Sequence, residues 1–232
     1  MLRLPQLMDT ILADLDAVVQ RDPAANSRLE AAILYPGVHA VWTHRVSHAL
    51  WQRGVRLPAR ALSQASRMVT NIEIHPGATL GPRLFIDHGA GVVVGETAVV
   101  GCDVTLYHGV TLGGTNLDPV KRHPTLGDRV MVGAGAKLLG PIEIGDDSKI
   151  GANAVLVRSV EPGSVVVGVP GQVISGSPSD GASRDADDPV AFAVRSLLKR
   201  VARLEELGDE GDQPAPISHD ADGVWQLDDY AI

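Results

Sequence analysis

The stretch FIDHGAGVVVGETA, residues 85–98, sets Asp87 and His88 side by side between runs of aliphatic residues and glycine, and Glu73 lies fifteen residues earlier. A carboxylate hydrogen-bonded to one imidazole nitrogen fixes the tautomer and stabilises the charged ring, which leaves the other nitrogen to accept a proton. His88, with Asp87 beside it and Glu73 behind it, is therefore a candidate general base. No activated serine or cysteine accompanies it, so the group it deprotonates would be a hydroxyl or amine of the substrate, as in acyl transfer. KRHP, Lys121 to Pro124, adds His123 and Arg122, whose planar fork suits a carboxylate; an ordinary solvated loop is the alternative. His75, His88, His108 and His123 share this half of the chain, but no two have the spacing expected of a histidine metal site, and no metal is expected. Asp22 precedes Pro23 and suits a helix N-cap.

These residues need a scaffold, and the chain supplies two kinds of periodicity. Over 6–19, 24–34, 38–53 and 57–70, apolar residues recur at three- and four-residue spacing, with breaks at Pro23, Pro36-Gly37 and Gly54, which predicts amphipathic helices. After Asn71 the period becomes six. Aliphatic residues fall at Ile74, Leu80, Ile86, Val94, Val100, Leu106, Leu112, Leu126, Val132, Leu138, Ile144, Ile150 and Leu156, usually with a small or branched residue four places later. Such hexads predict a parallel β-helix: short strands and turns, three hexads to a coil, each coil burying the edges of the next. Counted in hexads, Ile86, Leu106, Val132 and Ile150 share one face. The register breaks twice, by two residues between Ile86 and Val94 and by eight between Leu112 and Leu126, so both irregularities fall near the candidate residues.

The expected organisation is α+β: a helical cap over 1–70, a β-helix over 71–174, and a flexible acidic tail over 175–232 containing one helix at 190–207. Residues 175–232 hold thirteen acidic and five basic residues against fifteen of each before them, so the net charge of −8 belongs to the tail. That leaves no basic face for nucleic acid and no polybasic patch for an anionic membrane. One cysteine, Cys102, excludes an intrachain disulfide, and no run approaches a membrane span. A cytoplasmic location is expected, because Asp9, Asp14 and Asp16 interrupt the N-terminal stretch that a signal peptide would keep apolar.

Taken together, EIHPGATLG, FIDHGAGVVVGETA, VTLGGT, KRHP, VGAGAKLLG and GVPG resemble the bacterial serine O-acetyltransferases, left-handed β-helix enzymes of the hexapeptide acyltransferase group. The resemblance runs from about Asp22 to Ile174 and includes the RDP and YPG motifs of the cap. It implies transfer of acetyl from acetyl-CoA to the L-serine hydroxyl, with no tightly bound cofactor. His88 would be the base and Glu73 its partner, where some members carry Asp. Asp22 and Asp87 would hold the serine ammonium, Arg122 and His123 its carboxylate, with Glu96 a further acidic group in the pocket. Gly114, Ala134, Gly135, Lys149 and Ala152 would line the acetyl-CoA groove, and a backbone N–H such as that of Gly114 would stabilise the oxyanion. The family further implies a homotrimer or dimer of trimers with sites between subunits, inhibition by L-cysteine, and capture of the C-terminal Ile232 by O-acetylserine sulfhydrylase. Two rivals stay open: an enzyme of the same fold acetylating a sugar or antibiotic hydroxyl, and a non-catalytic protein that binds the sulfhydrylase through its tail.

Overall fold

The computed structural model describes residues 4–175 and Val201. Ile232, the acidic tail and, apart from Val201, the helix expected over 190–207 lie outside the described residues. Four helices come first: α1 (Leu4–Arg21), α2 (Arg28–Leu34), α3 (Pro36–Gln52) and α4 (Arg56–Thr70). Three of the four follow the apolar spacing closely. α2 starts four residues later than the expected 24, because Ser27 caps it: its hydroxyl accepts the Glu30 N–H, while the Glu30 carboxylate accepts the Asn26 N–H.

The hexads then wind into a left-handed β-helix of three parallel sheets. The first sheet stacks β1 (Glu73–Ile74), β4 (Val93–Val94), β7 (Thr111–Gly113), β10 (Lys137–Leu139) and β13 (Val155–Leu156). The second stacks β2 (Thr79–Leu80), β5 (Val99–Val100), β8 (Thr125–Leu126) and β11 (Glu143–Ile144). The third stacks β3 (Phe85–Asp87), β6 (Thr105–Tyr107), β9 (Met131–Val132), β12 (Lys149–Ile150) and β14 (Val165–Val167), and β15 (Gln172–Ser175) closes it antiparallel to β14. Register is kept coil by coil: Ile86 pairs with Leu106, Leu106 with Val132 and Val132 with Ile150. Each of these aliphatic side chains points inward and is buried, as are the small residues Ala78, Ala98, Ala136 and Ala154 that accompany them. A cross-section only a few side chains wide has no room for aromatics, which accounts for their scarcity in the sequence.

The cap is clamped to the coils by charge and by close approach. Asp14 of α1 pairs with Arg45 of α3 at 2.8 Å and accepts the Arg83 N–H, while Arg21 reaches Asp103 across the start of β6. At Gly37, in the first turn of α3, a Cβ would lie 2.2 Å from the carbonyl oxygen of Ile86. Only glycine lets the helix approach β3 this closely, immediately before the residues of interest. Among the described residues no helix is long and apolar enough to cross a membrane.

Candidate active site

The two-residue break in register turns out to be His88 and Gly89 themselves. On the strand side Asp87 pairs with Tyr107. On the turn side Gly109 N donates to Ala90 O, Gly135 N to His108 O and Asn153 N to Ala134 O, so Ala90, His108, Ala134 and Ala152 are equivalent positions of successive coils. What remains between Asp87 and Ala90 has no counterpart in the next coil. Both inserted residues take left-handed backbone, φ 57° at His88 and 75° at Gly89, a conformation that costs a non-glycine residue roughly 1 kcal/mol. The insertion pushes the imidazole out of the coil, where it is 74% exposed and meets His108 edge-on at 5.9 Å.

Three residues of the cap and strand surround this corner. Tyr35, between α2 and α3, donates its hydroxyl to Asp22 Oδ2 at 2.6 Å, and Asp22 Oδ1 accepts the Ala24 N–H. Asp22 thus forms an Asx turn and caps no helix, contrary to the default reading of its sequence. The phenol and the amide hold the Asp22 carboxyl below its ordinary range, and a charged His88 adds to the effect. Burial, reinforced by the same carboxylate, pushes the Tyr35 hydroxyl up to about 12. Asp87 Oδ1 stands 3.9 Å from His88 Nε2.

Glu73 departs from expectation. In this chain its carboxylate pairs with Arg67 of α4 at 3.0 Å, and among the described residues it makes no hydrogen bond to His88. The register explains this: Glu73 lies level with Val93, within the first sheet and under α4, whereas the insertion carries His88 outward at the corner before that sheet. Among the described residues, the carboxylate within 4 Å of a His88 nitrogen is that of Asp87.

Arg122 and His123 occupy a different corner, where the chain passes from the first sheet to the second. The long excursion between β7 and β8 folds back so that Arg122 Nη2 meets Glu96 Oε2 at 2.5 Å, and this bond holds the Glu96 carboxyl below its ordinary range. His123, 8% exposed, lies over Gly95, where a Cβ would be 1.9 Å from its Cδ2. Desolvation lowers the pKa of its ring, and the neighbouring Arg122 adds to that. His75 is close by, its Nε2 2.5 Å from Arg60, and burial followed by that guanidinium lowers it to about 4.

The chain therefore brings together Asp22, Asp87 and His88 at one edge of the first sheet, and Glu96, Arg122 and His123 at the other. The residues expected in the acetyl-CoA groove divide in the same way. Ala134, Gly135 and Ala152 continue the His108 column and Lys149 is exposed on β12, whereas Gly114 sits beside Arg122 and His123. Sequence reasoning missed Tyr35, Arg67 and Thr97. Tyr35 and Thr97 carried a local signal, the first as the tyrosine of the YPG motif and the second because it follows Glu96 inside the GETA motif.

Residues 123–158 match the family model described as bacterial transferase hexapeptide (six repeats). Serine acetyltransferase from Mycobacterium tuberculosis is 56% identical over 229 residues, which span 97% of this chain and 100% of that protein. Among solved structures, serine acetyltransferase from Neisseria gonorrhoeae in complex with serine is 43% identical, with a TM-score of 0.70 over 72% of this chain and 69% of that one. A serine acetyltransferase in complex with cysteine is 39% identical, with a TM-score of 0.73 over 74% of this chain and 71% of that one.

Proposed function

The chain belongs to the serine acetyltransferase family of acyltransferases, and on that premise we propose that it moves acetyl from acetyl-CoA to the hydroxyl of L-serine with His88 as general base. The observation that carries the assignment is the His88-Gly89 insertion, which adds an exposed imidazole to a coil that pairs without it and sets it beside Asp87 and Asp22. His88 takes the hydroxyl proton as the serine oxygen attacks the thioester carbonyl. A backbone N–H, that of Gly114 in this reading, stabilises the oxyanion. Collapse breaks the carbon–sulfur bond, and the imidazolium returns its proton to the CoA sulfur, giving O-acetyl-L-serine and CoA. Base catalysis of this kind contributes roughly 10²- to 10⁴-fold, and positioning of two bound substrates supplies much of the rest.

Asp22 and Asp87 are the anionic partners for the serine ammonium, and Tyr35 keeps Asp22 ionised. Arg122 and His123 take the carboxylate, and Ala134, Gly135, Lys149 and Ala152 line the acetyl-CoA groove. Because the two groups of residues stand at opposite edges of one sheet, a serine bound by both is held between two copies of the chain, one giving each edge. A homotrimer, alone or paired as a dimer of trimers, closes such edges on one another. Glu73 becomes the partner of His88 on exchanging Arg67 for the imidazole. L-Cysteine carries the same ammonium and carboxylate and competes for the same groups, a reading supported by the relatives solved with serine and with cysteine. The C-terminal Ile232 is the proposed anchor for O-acetylserine sulfhydrylase.

The test is CoA release from acetyl-CoA with L-serine, L-threonine, a galactoside and chloramphenicol as acceptors, for the native chain and His88→Ala. Serine-dependent release that collapses in the variant is expected. Release with another acceptor and none with serine would discard the amino-acid clamp, and none with any acceptor would favour a non-catalytic binding protein.

A further inference from the structure

Thr97 gathers three consecutive residues of the Lys121–Pro124 excursion onto itself. Its carbonyl oxygen accepts the Lys121 ammonium at 2.6 Å. Its hydroxyl oxygen accepts the backbone N–H of Arg122 at 3.0 Å and of His123 at 3.1 Å. The same oxygen lies 2.9 Å from His123 Nδ1, and the Thr97 N–H reaches that nitrogen at 3.2 Å. A threonine hydroxyl has two lone pairs and one hydrogen. Two amide donors occupy the lone pairs, so the hydrogen must point at Nδ1. That nitrogen then receives both the hydroxyl and the amide hydrogen and has no room for a proton of its own.

We propose that Thr97 is a positioning residue that fixes His123 as the neutral Nε2–H tautomer, aimed to donate a hydrogen bond to the substrate carboxylate. The inference rests on the reading of Arg122 and His123 as the carboxylate clamp. Three features support it independently of that reading. The ring is buried against Gly95, and turning it over would put Cδ2 in place of Nδ1 and forfeit both Thr97 hydrogen bonds. A Cβ on Gly114 would lie 3.3 Å from Nε2, so the glycine there puts no side chain of its own against that edge of the ring. The charged groups around the ring are Arg122 and Lys121 on its own segment, Glu96 from the turn after β4, and His75 from the turn after β1; the two cations and the loss of solvent outweigh the carboxylate and disfavour the imidazolium. A donor that stays neutral adds direction to the clamp, while Arg122 supplies the charge.

The experiment uses the full-length chain labelled with ¹⁵N-histidine, with the His123 resonances assigned from His123→Gln. The expected spectrum at neutral pH shows Nδ1 unprotonated and Nε2 protonated. Thr97→Val removes the hydroxyl at nearly constant shape, and should raise the KM for serine about 10-fold or more, the loss of a directed hydrogen bond to a charged group. The KM for acetyl-CoA should change by less than about 2-fold, because no Thr97 hydrogen bond reaches Ala134, Gly135, Lys149 or Ala152. Thr97→Ser, which keeps the hydroxyl, should restore both the tautomer and the serine KM. A native His123 carrying its proton on Nδ1, or on both nitrogens, overturns the proposal without any variant. So does Thr97→Val with spectrum and serine KM both unchanged. If Thr97→Val shifts the tautomer and leaves the serine KM alone, Thr97 positions the ring but the carboxylate reading of His123 fails.

Discussion

His44 is a buried histidine, and the burial of its ring makes the stability of the chain depend on pH in a defined direction. The ring is 4% exposed within α3 and stacked on His48 at 5.4 Å; neither nitrogen makes a close hydrogen bond, and the nearby backbone of Ala78 and His75 only partly offsets the loss of solvent. Burial, with smaller contributions from His48 and Arg45, lowers its pKa to about 3 from the 6.5 of a free imidazole. Below pH 6.5 the unfolded chain binds a proton at His44 that the folded chain refuses, so the contribution of this residue to stability is constant above that pH and falls as pH drops toward 3. The slope is about 1.4 kcal/mol per pH unit, which amounts to roughly 2 kcal/mol by pH 5. His44→Leu abolishes this contribution while leaving every other titrating group in place. Urea unfolding of both chains at pH 7.5 and pH 5, at one protein concentration so that assembly does not enter, measures the difference. The native chain should lose about 2 kcal/mol more than the variant between the two pH values. Parallel losses would refute the reasoning, since they would mean that the ring finds a partner or water when it is charged.

Three further outcomes follow from contacts described above. Gly37→Ala places a methyl group 2.2 Å from the Ile86 carbonyl; thermal melting should show a loss of about 1–3 kcal/mol, and CoA release with serine should fall as Tyr35 and Asp22 shift away from Asp87. Tyr35→Phe removes the hydroxyl that holds Asp22 down. Carboxyl ¹³C titration should then find Asp22 moved up toward its ordinary value; the stability that its ionisation contributes, present above that value and lost as pH falls, should shrink. Leu138→Ala opens a cavity in a coil whose neighbours, Leu112 and Leu156, are fixed by the ladder. Urea denaturation should record a cost of about 2–5 kcal/mol, toward the upper end because the coil cannot collapse.

The β-helix was legible because its narrow core repeats a single demand, one inward aliphatic residue every six positions. Even the alignment of Ile86, Leu106, Val132 and Ile150 could be counted from the spacing. The two breaks were visible as well, but spacing alone did not say that His88 and Gly89 were the inserted pair, since any two residues between Ile86 and Val94 satisfy the count. Only the hydrogen bonds on either side decide it. The start of α2 was hidden because Ala24, Ala25 and Asn26 continue an acceptable helical pattern, and the Ser27 cap outweighs them. Side-chain partners were the least legible. Arg67 claims Glu73 from a helix that the periodicity of the strands says nothing about. Thr97 reaches Arg122 and His123 across 25 and 26 residues, through a loop whose path no local rule sets.

The corner insertions also separate two structural demands within one molecule. Strand pairing resumes in register after His88-Gly89 and again after the excursion that carries Arg122 and His123. Strand pairing is therefore indifferent to the length of a corner, although not to every residue in it, since a Cβ at Gly89 would lie 2.4 Å from the core side chain of Ile72. A lineage built this way can try new acceptors for its acyl group by editing loop length alone, with the stacked coils as an unchanging frame.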